Sequence, residues 1–215
     1  MENLHNLFMM LTRWGHLLFG IGWIGMLYYF NFVQGGYFKA ATPEALKDAK
    51  AKLAPSALWW FRWGAMFTFL TGLLLLADVI AQNRLNGYIV VAGLMATLMF
   101  LNVWLIIWPN QKIVLGLATG GDAAVAGAKA AIASRTNVLF SGPMAFGMLA
   151  GPHFIGGAGY GFATPTLGWW LAIAVVLALE VNALVGKQGP MTTVRGVISS
   201  SIVLTAVLVL ILEML

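Results

Sequence analysis

The chain has 215 residues, 60% of them hydrophobic and only 9% charged, with a net charge of +5. A soluble domain carries about 25% charged residues, so this composition excludes a self-sufficient soluble fold and implies that lipid covers much of the surface. There is no cysteine, which excludes disulfides, thiolate metal sites, iron–sulfur clusters and covalent c-type haem.

The opening stretch carries acidic Glu2, lacks a basic leader and runs into a long apolar segment, so it reads as a retained first helix rather than a signal peptide. A membrane-crossing helix needs about 20 mostly apolar residues. Six segments meet or approach that requirement: residues 8–33, 59–81, 88–108, 137–155, 167–185 and 194–215. The fourth is the least regular, because Pro143, Pro152 and several glycines interrupt it. Between the first two lies 42–56, where Pro43 marks a helix start and Lys47, Asp48, Lys50 and Lys52 follow, the pattern of a short helix on the membrane surface. The Ala-rich stretch 122–133 reads in the same way, and 156–166 reads as a Gly-rich loop. The expected fold is therefore all-α: one integral membrane domain over residues 1–215, a bundle of about six transmembrane helices with one or two short interfacial helices.

The basic residues set an orientation. With six crossings, one face holds Lys39, Lys47, Lys50, Lys52, Arg62, Lys112, Lys129, Arg135, Lys187 and Arg195, and the other holds Arg13 and Arg84. The positive-inside rule makes the basic face cytoplasmic and places both termini outside, as expected in a bacterial inner membrane with periplasmic ends. That basic face is read as facing lipid headgroups rather than nucleic acid.

Ionisable groups inside a bilayer are costly and are the first places to look for function. His16 lies in the first helix, with Arg13 one turn nearer the outer surface and Phe19, Gly20 and Trp23 on the following turns. His153 ends the fourth helix, on a face that runs back through Ala150, Leu149, Phe146 and Ala145. Topology brings both histidines to the outer side. Two histidines on apolar faces with an outward arginine suit a b-type haem, His16 and His153 being axial ligands and Arg13 meeting a propionate. Copper at the same two histidines is the alternative metal, and small residues that serve only helix packing are the competing reading. His5 reads as a solvated terminal residue. Asp78 lies near the outer end of the second helix. Arg62, inside Trp59-Trp60-Phe61-Arg62-Trp63, reads as a snorkelling cation in an aromatic belt. Asn102 is expected to hydrogen-bond between helices. Glu180 either relays protons or pairs with Arg62 or Arg135.

Several stretches together resemble one family. They are Arg13-Trp14-Gly15-His16, Gly22-Trp23-Ile24-Gly25 and Tyr28-Tyr29-Phe30-Asn31-Phe32, then Trp60-Phe61-Arg62-Trp63-Gly64-Ala65-Met66 with Thr71-Gly72. Asn102-Val103-Trp104, running through Ile107-Trp108-Pro109-Asn110-Gln111-Lys112, is the most distinctive. Ser134-Arg135-Thr136-Asn137, Pro143-Met144, His153 and Glu180-Val181-Asn182-Ala183-Leu184 complete the set. In this order they resemble the membrane domain of the bacterial urate oxidase (urate hydroxylase) family, in which a membrane region is fused to a cytochrome c. The resemblance implies an oxidoreductase subunit that exchanges electrons with an outward-facing cytochrome c, and it includes His16 and His153 in matching segments. The 215 residues contain no cytochrome domain, so the expected cytochrome c and any larger oxidoreductase are separate subunits, and the substrate is left open. A cofactor-free accessory subunit of a larger membrane enzyme is the second expectation.

Overall fold

The computed structural model describes residues 2–154 and 165–215, so most of the expected Gly-rich loop lies outside the described residues. The described chain is helical throughout, an all-α bundle of six long helices. These are α1 (Asn3–Ala40), α2 (Pro43–Ala81), α3 (Gly87–Val114), α4 (Ala123–His153), α5 (Leu167–Val185) and α6 (Val194–Met214). All but α4 are long and apolar enough to cross a membrane, which makes the chain a multi-pass membrane protein in contact with lipid. The fourth helix is continuous over 31 residues despite Pro143 and Pro152. Proline within a membrane helix is tolerated because neighbouring groups re-satisfy the freed backbone.

The two segments expected as short surface helices are helical, and each runs on into the next long helix. Pro43 occupies the first turn after Thr42, whose side chain accepts a hydrogen bond from the Ala45 amide. That helix passes through a π-helical stretch, Ala49–Leu53, and continues to Ala81 without a break. The Asp122 side chain accepts from the amides of Ala124 and Val125, and so caps the start of α4. At 1.5 Å per residue, α1 with 38 residues and α2 with 39 are each about 57–58 Å long. A hydrocarbon core of about 30 Å takes up only half of that length. The hairpin tip, with Lys39, Glu44, Lys47, Asp48, Lys50 and Lys52, is the polar part that lies beyond it.

Two compact units are distinguished, one of Met1–Asp78 with Val103–Ala130, the other of Val79–Asn102 with Ala131–Leu215. In the first, α1 and α2 run antiparallel and close. Gly64 sits so near the backbone of Trp23 that a Cβ would lie 3.1 Å from the Trp23 nitrogen. Phe30 meets Phe61 edge-on at 5.5 Å. In the second, α5 and α6 approach closely at Gly168, where a Cβ would lie 2.5 Å from the carbonyl oxygen of Ile211. Small residues at such crossings let membrane helices pack by dispersion where the hydrophobic effect gives no drive.

Candidate functional site

In the first unit the antiparallel pairing of α1 and α2 sets His16 against Thr68, Thr71 and Gly72. Its Nδ1 lies 2.9 Å from the backbone oxygen of Thr68 and 3.1 Å from Thr71 Oγ1. A carbonyl oxygen can only accept, so Nδ1 carries the proton and donates it. Thr71 hydroxyl donates in turn to the Phe67 carbonyl at 2.6 Å, which leaves its lone pairs for the imidazole. The neutral ring therefore holds its free lone pair on Nε2, and Nε2 takes no hydrogen bond from any described residue. Gly72 makes the approach possible, because a Cβ there would stand 3.1 Å from His16 Cε1. His16 is half-buried. It lies about 20 Å along α1 from Asn3, well inside the apolar zone.

Nearer the end of the same helix pair, Asp78 has His5 and Arg13 among its partners. His5 Nε2 donates to its Oδ1 at 3.1 Å, and Arg13 donates to its Oδ2 at 3.4 Å. The Asp78 side chain is 6% exposed, whereas those of His5 and Arg13 are more than half exposed. His5 is thus tied to α2 rather than merely solvated, because the buried carboxylate needs a hydrogen-bond donor and the His5 ring supplies one. Arg13, expected to meet a propionate, donates to this carboxylate. At the other end of the unit Arg62 lays its guanidinium 3.4 Å from the centroid of the Trp108 ring, with Lys112 Nζ 5.7 Å from the same ring. Arg62 thus lies against an aromatic ring, in a cation–π contact.

The second unit holds the remaining candidates. His153, the last residue of α4, is exposed and hydrogen-bonds to no described residue. On its face Ala150 is buried, while Leu149 is exposed. Phe146 meets Tyr88 edge-on at 6.1 Å. Tyr88 donates to Glu213 Oε1 at 2.7 Å, which ties α3 to the last turn of α6. Asn86 caps α3 and also donates 3.0 Å to the Gly151 carbonyl, one of the last oxygens of α4. Deeper in this unit Asn102 Nδ2 donates to Asn137 Oδ1 at 2.9 Å and to Glu180 Oε2 at 3.2 Å. The expected interhelical bond of Asn102 is present. Glu180 takes that amide as its partner and, within its unit, forms no ion pair with Arg135.

Sequence reasoning did not single out Thr68, Tyr88 or Glu213. A Thr or Tyr in an apolar helix carries no spacing signal, and only the register of the facing helix shows what it meets. Among the described residues no group of three or more His, Cys, Asp or Glu side chains is placed to hold a metal ion.

Fold and polar sites together define a multi-pass helical membrane protein with one half-buried imidazole between α1 and α2 and one buried polar cluster in the second unit. No family model, curated protein or solved structure matches the chain.

Proposed function

We propose that the chain is a redox subunit of a bacterial inner-membrane complex, with both termini periplasmic, that holds b-type haem through His16. The observation that carries this reading is the state of that imidazole. Its Nδ1–H is committed to a backbone carbonyl, and its Nε2 lone pair is left bare in an apolar zone. Metal-bound histidines almost always show this arrangement, because the carbonyl fixes the tautomer and raises the basicity of the ligating nitrogen. The residues fit the group: His16 supplies the ligand, Thr68 and Thr71 orient it, and Gly72 leaves the ring its room. A b-type haem bound there supplies one-electron transfer between ferric and ferrous states. The family resemblance supports a separate periplasmic cytochrome c as electron partner, and it includes His153 in a matching segment. Copper at His16 is the metal alternative.

The deciding experiment is a reduced-minus-oxidised spectrum of the purified protein expressed with full haem supply. The expected result is a b-type Soret and α-band pair that His16→Ala abolishes while the protein still inserts. A featureless spectrum, with no copper by elemental analysis, refutes the reading. The ten-to-two split of basic residues supports the orientation, and a periplasm-active reporter fused to either terminus tests it.

A cofactor-free accessory subunit is the second reading, and one observation favours it. Asp78 already engages Arg13, the cation expected to meet a propionate. Native purification beside a large oxidoreductase, with neither haem nor copper in this chain, would establish it.

A further inference from the structure

We infer that Glu180 is a proton-exchanging carboxyl inside the membrane, oriented by a relay of amides from Met99 through Asn137 and Asn102. This inference stands apart from the haem reading, since it uses none of the same residues.

The direction of the relay follows from its first member. Asn137 Nδ2 lies 3.0 Å from the Met99 carbonyl oxygen. A carbonyl only accepts, so Asn137 turns its NH2 to Met99 and its oxygen to Asn102. Asn102 must then present its own NH2 to that oxygen, at 2.9 Å, and the same NH2 reaches Glu180 Oε2 at 3.2 Å. What faces Glu180 is therefore an N–H group and not a lone pair. A metal cation would need oxygens directed at it, so this geometry selects a proton.

Asn102 opens a π-helical stretch, Asn102–Ile107, in α3. Such π turns inside α-helices occur frequently at functional sites. Asn102 is 1% exposed, Asn137 0% and Glu180 8%. Glu180 lies about 20 Å along α5 from Leu167 and about 7–8 Å from Val185, so it sits within the hydrocarbon thickness.

The other charged groups of this unit are Arg84, Arg135, Lys187, Arg195 and Glu213, and among the described residues His153 and Tyr88 are also titratable. None forms an ion pair with Glu180 among the described residues. Arg84, Glu213 and His153 belong to the end of the unit where α3 begins and α6 finishes. Arg135, Lys187 and Arg195 belong to the opposite end, within a few turns of Glu180. A carboxylate that lacks a cation in an apolar medium takes up a proton. The amide at Oε2 gives the ionised form one hydrogen bond, which keeps release within reach. Together these make a group that both binds and returns a proton.

The test is labelling of the intact protein in proteoliposomes with dicyclohexylcarbodiimide, a hydrophobic reagent that reacts with protonated carboxyls. The site is read by peptide mass mapping across a pH series, and an infrared spectrum of the protonated-carboxyl stretch is taken in parallel. The expected result is one adduct at Glu180, formed more slowly as pH rises, with a carbonyl band that fades over the same range. Asn102→Leu removes the donor to the ionised form, so labelling at a fixed alkaline pH should be about tenfold faster, the ratio that corresponds to one lost hydrogen bond to a charged group. Glu180→Gln should lose both adduct and band. Because wild-type mapping identifies the site, the test survives a variant that fails to fold. Absence of both adduct and band in the wild type, or labelling at Glu180 that does not change with pH, overturns the inference.

Discussion

Gly72→Ala separates the ligand reading of His16 from a purely structural one. The new Cβ would stand 3.1 Å from His16 Cε1 and 3.6 Å from Nδ1. Ordinary contact begins at 3.4 Å, so the imidazole must retreat by about 0.3 Å or more. The Nδ1 to Thr68 bond, now 2.9 Å, then stretches to about 3.2 Å, the outer edge of a good N–H···O bond. Weakening that bond costs at most about 0.5–1.5 kcal/mol. Replacing a helical glycine by alanine returns about 0.8–1 kcal/mol through propensity. The two nearly cancel, so thermal unfolding in detergent should move little. Haem affinity should respond differently, because loss of an orienting partner typically lowers metal affinity by about 10–100-fold. Haem titration of the apo-protein, followed at the Soret band beside a melting curve, measures both effects. Unchanged affinity in Gly72→Ala, together with full loss in His16→Ala, would refute the claim that the Thr68 carbonyl sets the ligating tautomer.

Other perturbations probe the rest of the structure. Gly168→Val drives a side chain into the backbone oxygen of Ile211 and should destabilise the α5–α6 contact by about 1–3 kcal/mol, seen as a lower melting temperature. Tyr88→Phe deletes the hydrogen bond to Glu213 and should cost about 1 kcal/mol by the same assay. Asp78→Ala strands Arg13 and His5 but spares the His16 contacts. It should lower stability without shifting the haem spectrum. A spectral change in Asp78→Ala would show that the two clusters are coupled.

Composition and hydropathy were enough to determine a membrane bundle and the place of every long helix. α5 runs from Leu167 to Val185, as its apolar run predicts, because nothing but lipid compatibility sets those ends. Hydropathy was blind to where α1 finishes and α2 begins. It marks the part of a helix that must sit in hydrocarbon, and backbone hydrogen bonding continues past the interface wherever capping and propensity permit. The segment at Pro43 therefore reads as a separate surface helix in the sequence and is the first turn of a 39-residue one in the structure.

The candidate residues divide along the same line. Scarcity of charge in an apolar chain picked out His16, Arg13, Asp78, Asn102 and Glu180, since each is expensive in a bilayer. Their partners were not legible. His16 with Thr68 spans 52 positions, Arg13 with Asp78 spans 65, and Asn102 with Glu180 spans 78. Helix register decides those pairings, and register is the sum of many close contacts, such as Gly64 on the Trp23 backbone, that no local pattern encodes. The amino-acid sequence by itself determined that the chain lies in a membrane and which side chains need partners. Tertiary packing alone decided which partners they received, and so which nitrogen of His16 is free and which amide faces Glu180.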